Sequence, residues 1–285
     1  MTIGQLIRLS RPPTLAATLA PVLTGGALSS GPAFSPGLWL LVALVALLLQ
    51  IGANVINEYA DFAGGVDRLS STGIAGVLVR GELTPRRVGE AAAAVFLLAL
   101  AGGVVLVLAR GWVLLALGLF AAAGNLLYSL GPRPLSATPV GEAWVFLLMG
   151  PLEVVAVQLA ASGRITGQAV WVGLAVGLLT AAILVANHLR DRSQDLASGR
   201  RTLVGLLGER LGRRLLVALA AGGVVLAPFL AVLGALPLWC LLTLLALPVT
   251  LRLWREESPS RLLPLAAQND LLAGALLALA LLLGR

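Results

Sequence analysis

Nine stretches of about 20 predominantly apolar residues, 13–29, 38–58, 88–109, 111–130, 139–161, 168–189, 212–234, 237–254 and 264–284, leave little chain for anything but helices that cross a bilayer. The runs lack the period-2 alternation of outer-membrane strands, so the expected fold is all-α: a polytopic helical bundle of nine transmembrane helices, with 1–285 as a single domain. Only 12% of the 285 residues are charged, against about 25% in soluble globular proteins. That excludes soluble enzymes, nucleic-acid-binding proteins and secreted disulfide scaffolds. The single cysteine, Cys240, sits in an apolar run and reads as a small buried hydrophobe. The first run is the weakest, since Pro13, Pro21 and several Thr and Gly dilute it. The N-terminal segment has no charged region leading into an apolar core and small-residue cleavage site, so no signal peptide is expected to be removed.

Nine crossings sort the 20 basic residues, all arginine, into two unequal sets. Seventeen fall on one side, among them Arg8, Arg11, Arg80, Arg133, Arg190, Arg200, Arg201 and Arg255; only Arg110, Arg164 and Arg285 fall on the other. The positive-inside rule then puts the N-terminus in the cytoplasm and the C-terminus outside, with the protein in the plasma (inner) membrane. Ten of the 13 acidic residues gather at the same cytoplasmic ends. Topology requires arginines there. It does not require carboxylates at helical spacing.

Two such constellations stand out. At 100° per residue Asn57 and Asp61 lie about 40° apart and Asn54 and Asp61 about 20° apart, so the three share one face at the end of the second run. Asp67 follows beyond a Gly64–Gly65 break. The sixth run closes with Asn187, His188, Arg190, Asp191 and Asp195, again with carboxylates at i, i+4. Carboxylates stacked at a membrane boundary need a compensating cation. Hard oxygen donors suit Mg2+, which keeps waters and shares its shell with phosphate oxygens, so a diphosphate bridged to the protein by Mg2+ is the economical reading. Arg80 and the Arg200–Arg201–Thr202 run add fork donors for phosphate oxygens. A solvated helix end paired with Arg68, Arg190 or Arg192 is the bland alternative for any one carboxylate.

The pattern Asn54-x2-Asn57-Glu58-Tyr59-x-Asp61-x3-Gly65-x-Asp67 resembles the first aspartate-rich motif of the UbiA superfamily of intramembrane prenyltransferases. Asn187-x2-Arg190-Asp191-x3-Asp195-x3-Gly199-x-Arg201-Thr202 resembles the second. The opening Arg11-Pro12-x-Thr14-Leu15 and the central Tyr128-x2-Gly131-Pro132-Arg133-Pro134, Gly141-Glu142 and Gly150-Pro151 are most similar to the 1,4-dihydroxy-2-naphthoate polyprenyltransferase branch, and the resemblance runs from residue 8 to about 211. It implies a central cavity open to the cytoplasmic side and laterally to lipid. It also implies two Mg2+ ions held by Asn57, Asp61, Asp67, Asp191 and Asp195, with the four aspartates catalytic and Asn54, Arg80, Asn187 and Arg201 as diphosphate contacts. Tyr128, Phe62, His188 and Glu153 are expected around the acceptor or prenyl cavity.

The implied reaction is transfer of a polyprenyl group from its diphosphate to 1,4-dihydroxy-2-naphthoate, with loss of CO2, giving demethylmenaquinone. The implied partners are those two substrates and the lipid bilayer, with no nucleic acid and no protein partner. Another aromatic acceptor (4-hydroxybenzoate, homogentisate or a porphyrin) is the enzyme alternative and a cation-coupled transporter the non-enzyme one. Transporter sites usually lie at the bilayer midplane, whereas these clusters end two spans on one side. Glu58 stands where the family has Asp, His188 where a second Asn is expected, and Glu153 where a small or apolar residue is expected. Asp270 is expected near a helix N-terminus, where the dipole favours a carboxylate.

Overall fold

The computed structural model describes residues 1–65 and 75–285. All regular structure among them is helical: α1 (Ile3–Ser10), α2 (Pro12–Ser29), α3 (Pro36–Ala63), α4 (Pro85–Arg110), α5 (Trp112–Ser129), α6 (Gly141–Leu147), a π turn (Leu148–Leu152), α7 (Glu153–Ser162), α8 (Gly167–Ala197), α9 (Leu203–Val232), a 3-10 segment (Leu238–Ala246), α10 (Leu247–Arg255) and α11 (Pro259–Leu283). The helix starts are legible. Proline opens α2, α3, α4 and α11, where its missing N–H costs nothing, and Thr84 and Thr202 accept from the backbone N–H three residues on.

Among the described residues eight helices or joined helical segments are long and apolar enough to cross a membrane, so the chain is a multi-pass membrane protein. The helix missing from that set is α2. Its 18 residues are mostly buried, including Thr18, Thr24, Gly25, Gly26 and Ser29. Hydropathy is demanded of surfaces that face lipid. A helix shielded by neighbours can carry small and hydroxyl-bearing residues that let backbones approach. Accordingly α2 packs between α11 and α7, and a Cβ on Gly274 of α11 would meet that of Ala20 at 2.5 Å.

The core is organised on α8, which packs against α9, α11, α2 and the broken α6–α7 span. Where the π turn crosses α8, a Cβ added to Gly173 would fall 2.5 Å from Pro151 Cα, and one added to Gly150 would fall 2.5 Å from the Gly173 carbonyl oxygen. Backbone meets backbone there, so no side chain can give way. Gly173→Val is expected to destabilise the protein by about 1–3 kcal/mol, read as a lowered unfolding midpoint in detergent micelles; an unchanged midpoint would mean the helices separate freely.

Two boundaries bear on the sequence reading. The apolar part of the sixth run ends at 189, and α8 continues past it to Ala197, so Asp191 and Asp195 are helical, as their i, i+4 spacing requires. Asp270 is not at a helix start. Because α11 begins at Pro259, it lies about three turns inside, fully buried.

Candidate active site

The end of α3 carries the first cluster, and each polar side chain there has a definite partner. Asn54 donates from Nδ2 to the Ser10 carbonyl (2.8 Å) and to Thr14 Oγ1 (2.9 Å), tying α3 to the α1–α2 junction. Asn57 Oδ1 accepts from Arg11 Nη1 at 2.7 Å. Arg11 occupies that junction with φ 49° and ψ 67°, the left-handed region that a non-glycine residue adopts at a cost when surrounding contacts hold it there.

Glu58 shares Arg11 with Asn57 but spends its carboxylate on backbone. Its carboxylate is fully buried and accepts from the backbone N–H groups of Val77 (2.7 Å), Gly76 (3.2 Å) and Leu78 (3.4 Å), with Arg11 Nη2 at 3.5 Å. The extra methylene relative to aspartate is used to reach that turn. Further along, Glu82 pairs with Arg8 and Arg80. The Arg80 hydrogen bond leads in holding the half-buried Glu82 carboxyl below the usual carboxylate range.

The end of α8 carries the second cluster. Asp191 is held by its neighbour Arg190 (2.7 and 2.5 Å) and accepts from Asn187 Nδ2 at 3.4 Å. Asp195 is buried, and its Oδ2 has no hydrogen-bond partner. Beyond the helix, Gly199 (φ 80°) turns the chain back so that Arg200 N–H donates to the Asp195 carbonyl at 2.9 Å. The Arg200 guanidinium then lies between the clusters, with Nη1 3.3 Å from Asp61 Oδ1 and 3.5 Å from Asp195 Oδ1. One nitrogen therefore reaches carboxylates from α3 and α8, and a cation already stands between them.

A cavity of about 760 Å³ opens beside these helix ends. Arg11, Asn54, Asn57, Tyr128 and Asn187 line its polar end, while Phe96, Leu114, Leu148 and Val157 belong to a predominantly apolar wall. Leu100 and Leu108 of α4 and Leu119 of α5 line it and are strongly exposed, so on that flank the cavity reaches the protein's surface. Glu153 lines the cavity with Oε1 unpartnered.

The structure thus joins Asp61 and Asp195 through Arg200 and places Asn54, Asn57, Asn187 and Tyr128 at the polar end of the cavity, whose lining does not include the aspartates. Two expected cavity residues are placed elsewhere. Phe62, one residue past Asp61 and so turned about 100° around α3, is exposed and is not among the lining residues. His188 is buried behind Asn187, its Nδ1 2.9 Å from Glu142 Oε1. Arg80 is engaged with Glu82 and the Ala75 carbonyl, and the Arg201 side chain is exposed while its N–H donates to Ala137 O at 3.0 Å. Asp67 and Arg68 lie outside the described residues.

Sequence reasoning missed the contacts of Arg11, Glu142 and Arg200. The available signal was position: Arg11 and Glu142 stand in the motifs, and Arg200 belongs to the Arg200–Arg201–Thr202 run of fork donors.

The donor set suits a hard divalent cation. It consists of carboxylate and amide oxygens, and the buried, unpartnered Asp195 Oδ2 calls for a ligand. Among the described residues no three His, Cys, Asp or Glu side chains converge, and amide, phosphate and water oxygens are further donors of the kind Mg2+ accepts.

Comparison with known proteins is consistent along nearly the whole chain. The UbiA prenyltransferase family profile matches residues 18–268. The 1,4-dihydroxy-2-naphthoate octaprenyltransferase of Bacillus subtilis (strain 168) is 32% identical over 249 residues, covering 87% of this chain and 80% of that protein. The enzyme of the same name from Mycobacterium tuberculosis is 36% identical over 261 residues, covering 88% and 85%. A UbiA homolog from Archaeoglobus fulgidus, solved with GPP and Mg2+, superposes with a TM-score of 0.73 at 22% identity over 98% of this chain and 99% of its own. A homolog from Aeropyrum pernix K1 superposes at 0.72 with 18% identity, covering 94% and 96%.

Proposed function

This chain belongs to the UbiA prenyltransferase family and is a prenyltransferase, and from that premise we propose that it transfers a polyprenyl group from polyprenyl diphosphate to 1,4-dihydroxy-2-naphthoate, with loss of CO2, to give the hydroquinone form of demethylmenaquinone. The observation that carries this reading is the meeting of Asp61 and Asp195 across Arg200 beside a deep, largely apolar cavity.

Asn57, Asp61, Asp191 and Asp195, with Asp67, would hold two Mg2+ ions, which when bound neutralise charge on the leaving diphosphate. The diphosphate rests among Asn54, Asn187, Arg11 and Arg201, and Arg80 can join once it releases Glu82. As the allylic C–O bond breaks, its electron pair leaves with the diphosphate, and the arginines stabilise the charge that develops. The apolar walls keep water from the allylic cation, and the Tyr128 ring faces it with π density. The acceptor ring carbon supplies the electron pair for the new C–C bond. Loss of the ring carboxylate as CO2 returns the electrons that restore aromaticity.

In the same reading α2 is the ninth crossing. The N-terminus is then cytoplasmic and the C-terminus outside the plasma membrane, as the 17-to-3 arginine distribution favours. The exposed flank between α4 and α5 is where the isoprenoid tail passes into lipid.

The test is a purified-protein assay with labelled polyprenyl diphosphate, 1,4-dihydroxy-2-naphthoate and Mg2+. Lipid-soluble product and CO2 should appear together and vanish with EDTA. Product formed only from a different aromatic acceptor would overturn the acceptor assignment, and EDTA-insensitive product would overturn the metal assignment.

A further inference from the structure

Arg200 joins the two carboxylate clusters. It comes from neither helix end, yet Nη1 contacts Asp61 and Asp195, 134 residues apart in sequence, and Nη2 donates to Ser136 Oγ at 3.1 Å. The guanidinium and both carboxylates are largely withdrawn from water, with side-chain exposures of 14%, 16% and 4%. Two such carboxylates facing each other without a cation would repel strongly in this low-dielectric setting. Arg200 supplies that cation.

Its backbone is pinned, since Arg200 N–H donates to Asp195 O and the next N–H, that of Arg201, donates to Ala137 O. Only the side-chain torsions remain for movement. Meanwhile Asp195 Oδ2 is buried without a partner, so the ion pair leaves part of this cluster's bonding capacity unused.

We propose that Arg200 is a displaceable internal counter-cation: it occupies the space between Asp61 and Asp195 until a divalent metal arrives, competes with that metal, and then transfers its guanidinium to the diphosphate. The inference rests on the metal and diphosphate reading above. Its consequence is a built-in coupling. Metal alone must displace a paired arginine, whereas metal arriving with diphosphate gives that arginine a new anion, so each ligand strengthens the other by the same factor.

The experiment is isothermal titration of the full chain in nanodiscs with Mg2+ alone, and with inorganic pyrophosphate at saturating Mg2+, for the wild type, Arg200→Gln and Arg200→Lys. Arg200→Gln is expected to bind Mg2+ alone about tenfold more tightly and pyrophosphate about tenfold more weakly, and to lose most of the mutual enhancement. Arg200→Lys, which keeps the charge but not the fork, should fall between. A wild-type Mg2+ affinity in Arg200→Gln would overturn the proposal, as would a folded Arg200→Gln protein that no longer binds Mg2+, because Arg200 would then assemble the site rather than compete for it. Should Arg200→Gln fail to fold, Arg200→Lys decides: wild-type values for both ligands overturn the proposal. If the wild type itself binds neither Mg2+ nor pyrophosphate, the functional reading falls together with the inference.

Discussion

Alanine at Asp61 or at Asp195 is expected to lower turnover by a factor on the order of 10² to 10³ or more, with a much smaller change in stability. Each carboxylate contributes to the one place where α3 and α8 approach through a shared cation. Removing either leaves Arg200 paired with the other, so the loop and helix contacts survive while the arrangement facing the diphosphate does not. Asp191→Ala should also be strongly impaired, although Asp191 is held by Arg190 and must turn from it to act. Initial rates at saturating Mg2+, read beside the unfolding midpoint of each variant, check this. Retention of more than a few percent of activity in folded Asp61→Ala would defeat the assignment.

Substitution of Glu58 is expected to act on stability instead. Glu58→Ala removes a fully buried carboxylate, orphans the N–H groups of Gly76, Val77 and Leu78, and leaves the Arg11 guanidinium without that anion. Breaking one side of a buried charge pair costs about 3–5 kcal/mol. Glu58→Asp keeps the charge but shortens the reach by one methylene, so it should lie between wild type and alanine. Chemical denaturation in micelles with EDTA present isolates the effect from metal binding. If Glu58→Asp leaves stability unchanged but alters Mg2+ affinity, Glu58 belongs to the metal site and its assignment as the support of the 76–78 turn is wrong.

The Glu58 case shows why part of the site was legible and part was not. The run Asn54–Asp61 places Asn54, Asn57 and Asp61 on one face by helical geometry alone, and α3 is continuous through them. The same geometry places Glu58 about 100° from Asn57 but says nothing about what lies opposite. A turn 18 to 20 residues further along the chain lies there, and that decides whether the residue binds metal or backbone. His188 was read as a cavity residue from its neighbours Asn187 and Arg190. One residue around the helix it meets Glu142 instead.

What the sequence determines by itself is everything set by local periodicity and by the cost of polar groups in lipid. That covers apolar spans of bilayer length, the arginine-rich side, the helical phase of the acidic clusters and, through their motifs, the family. Tertiary structure alone decided that α2 is an interior helix, that Asp270 is buried mid-helix, and that Arg200 rather than Arg201 stands between the clusters. The physical reason is one of range. Dihedral preferences and hydropathy act over a few residues, whereas the partner of a buried charge is chosen by which helices pack together, and Arg200 meets Asp61 across 139 residues of chain.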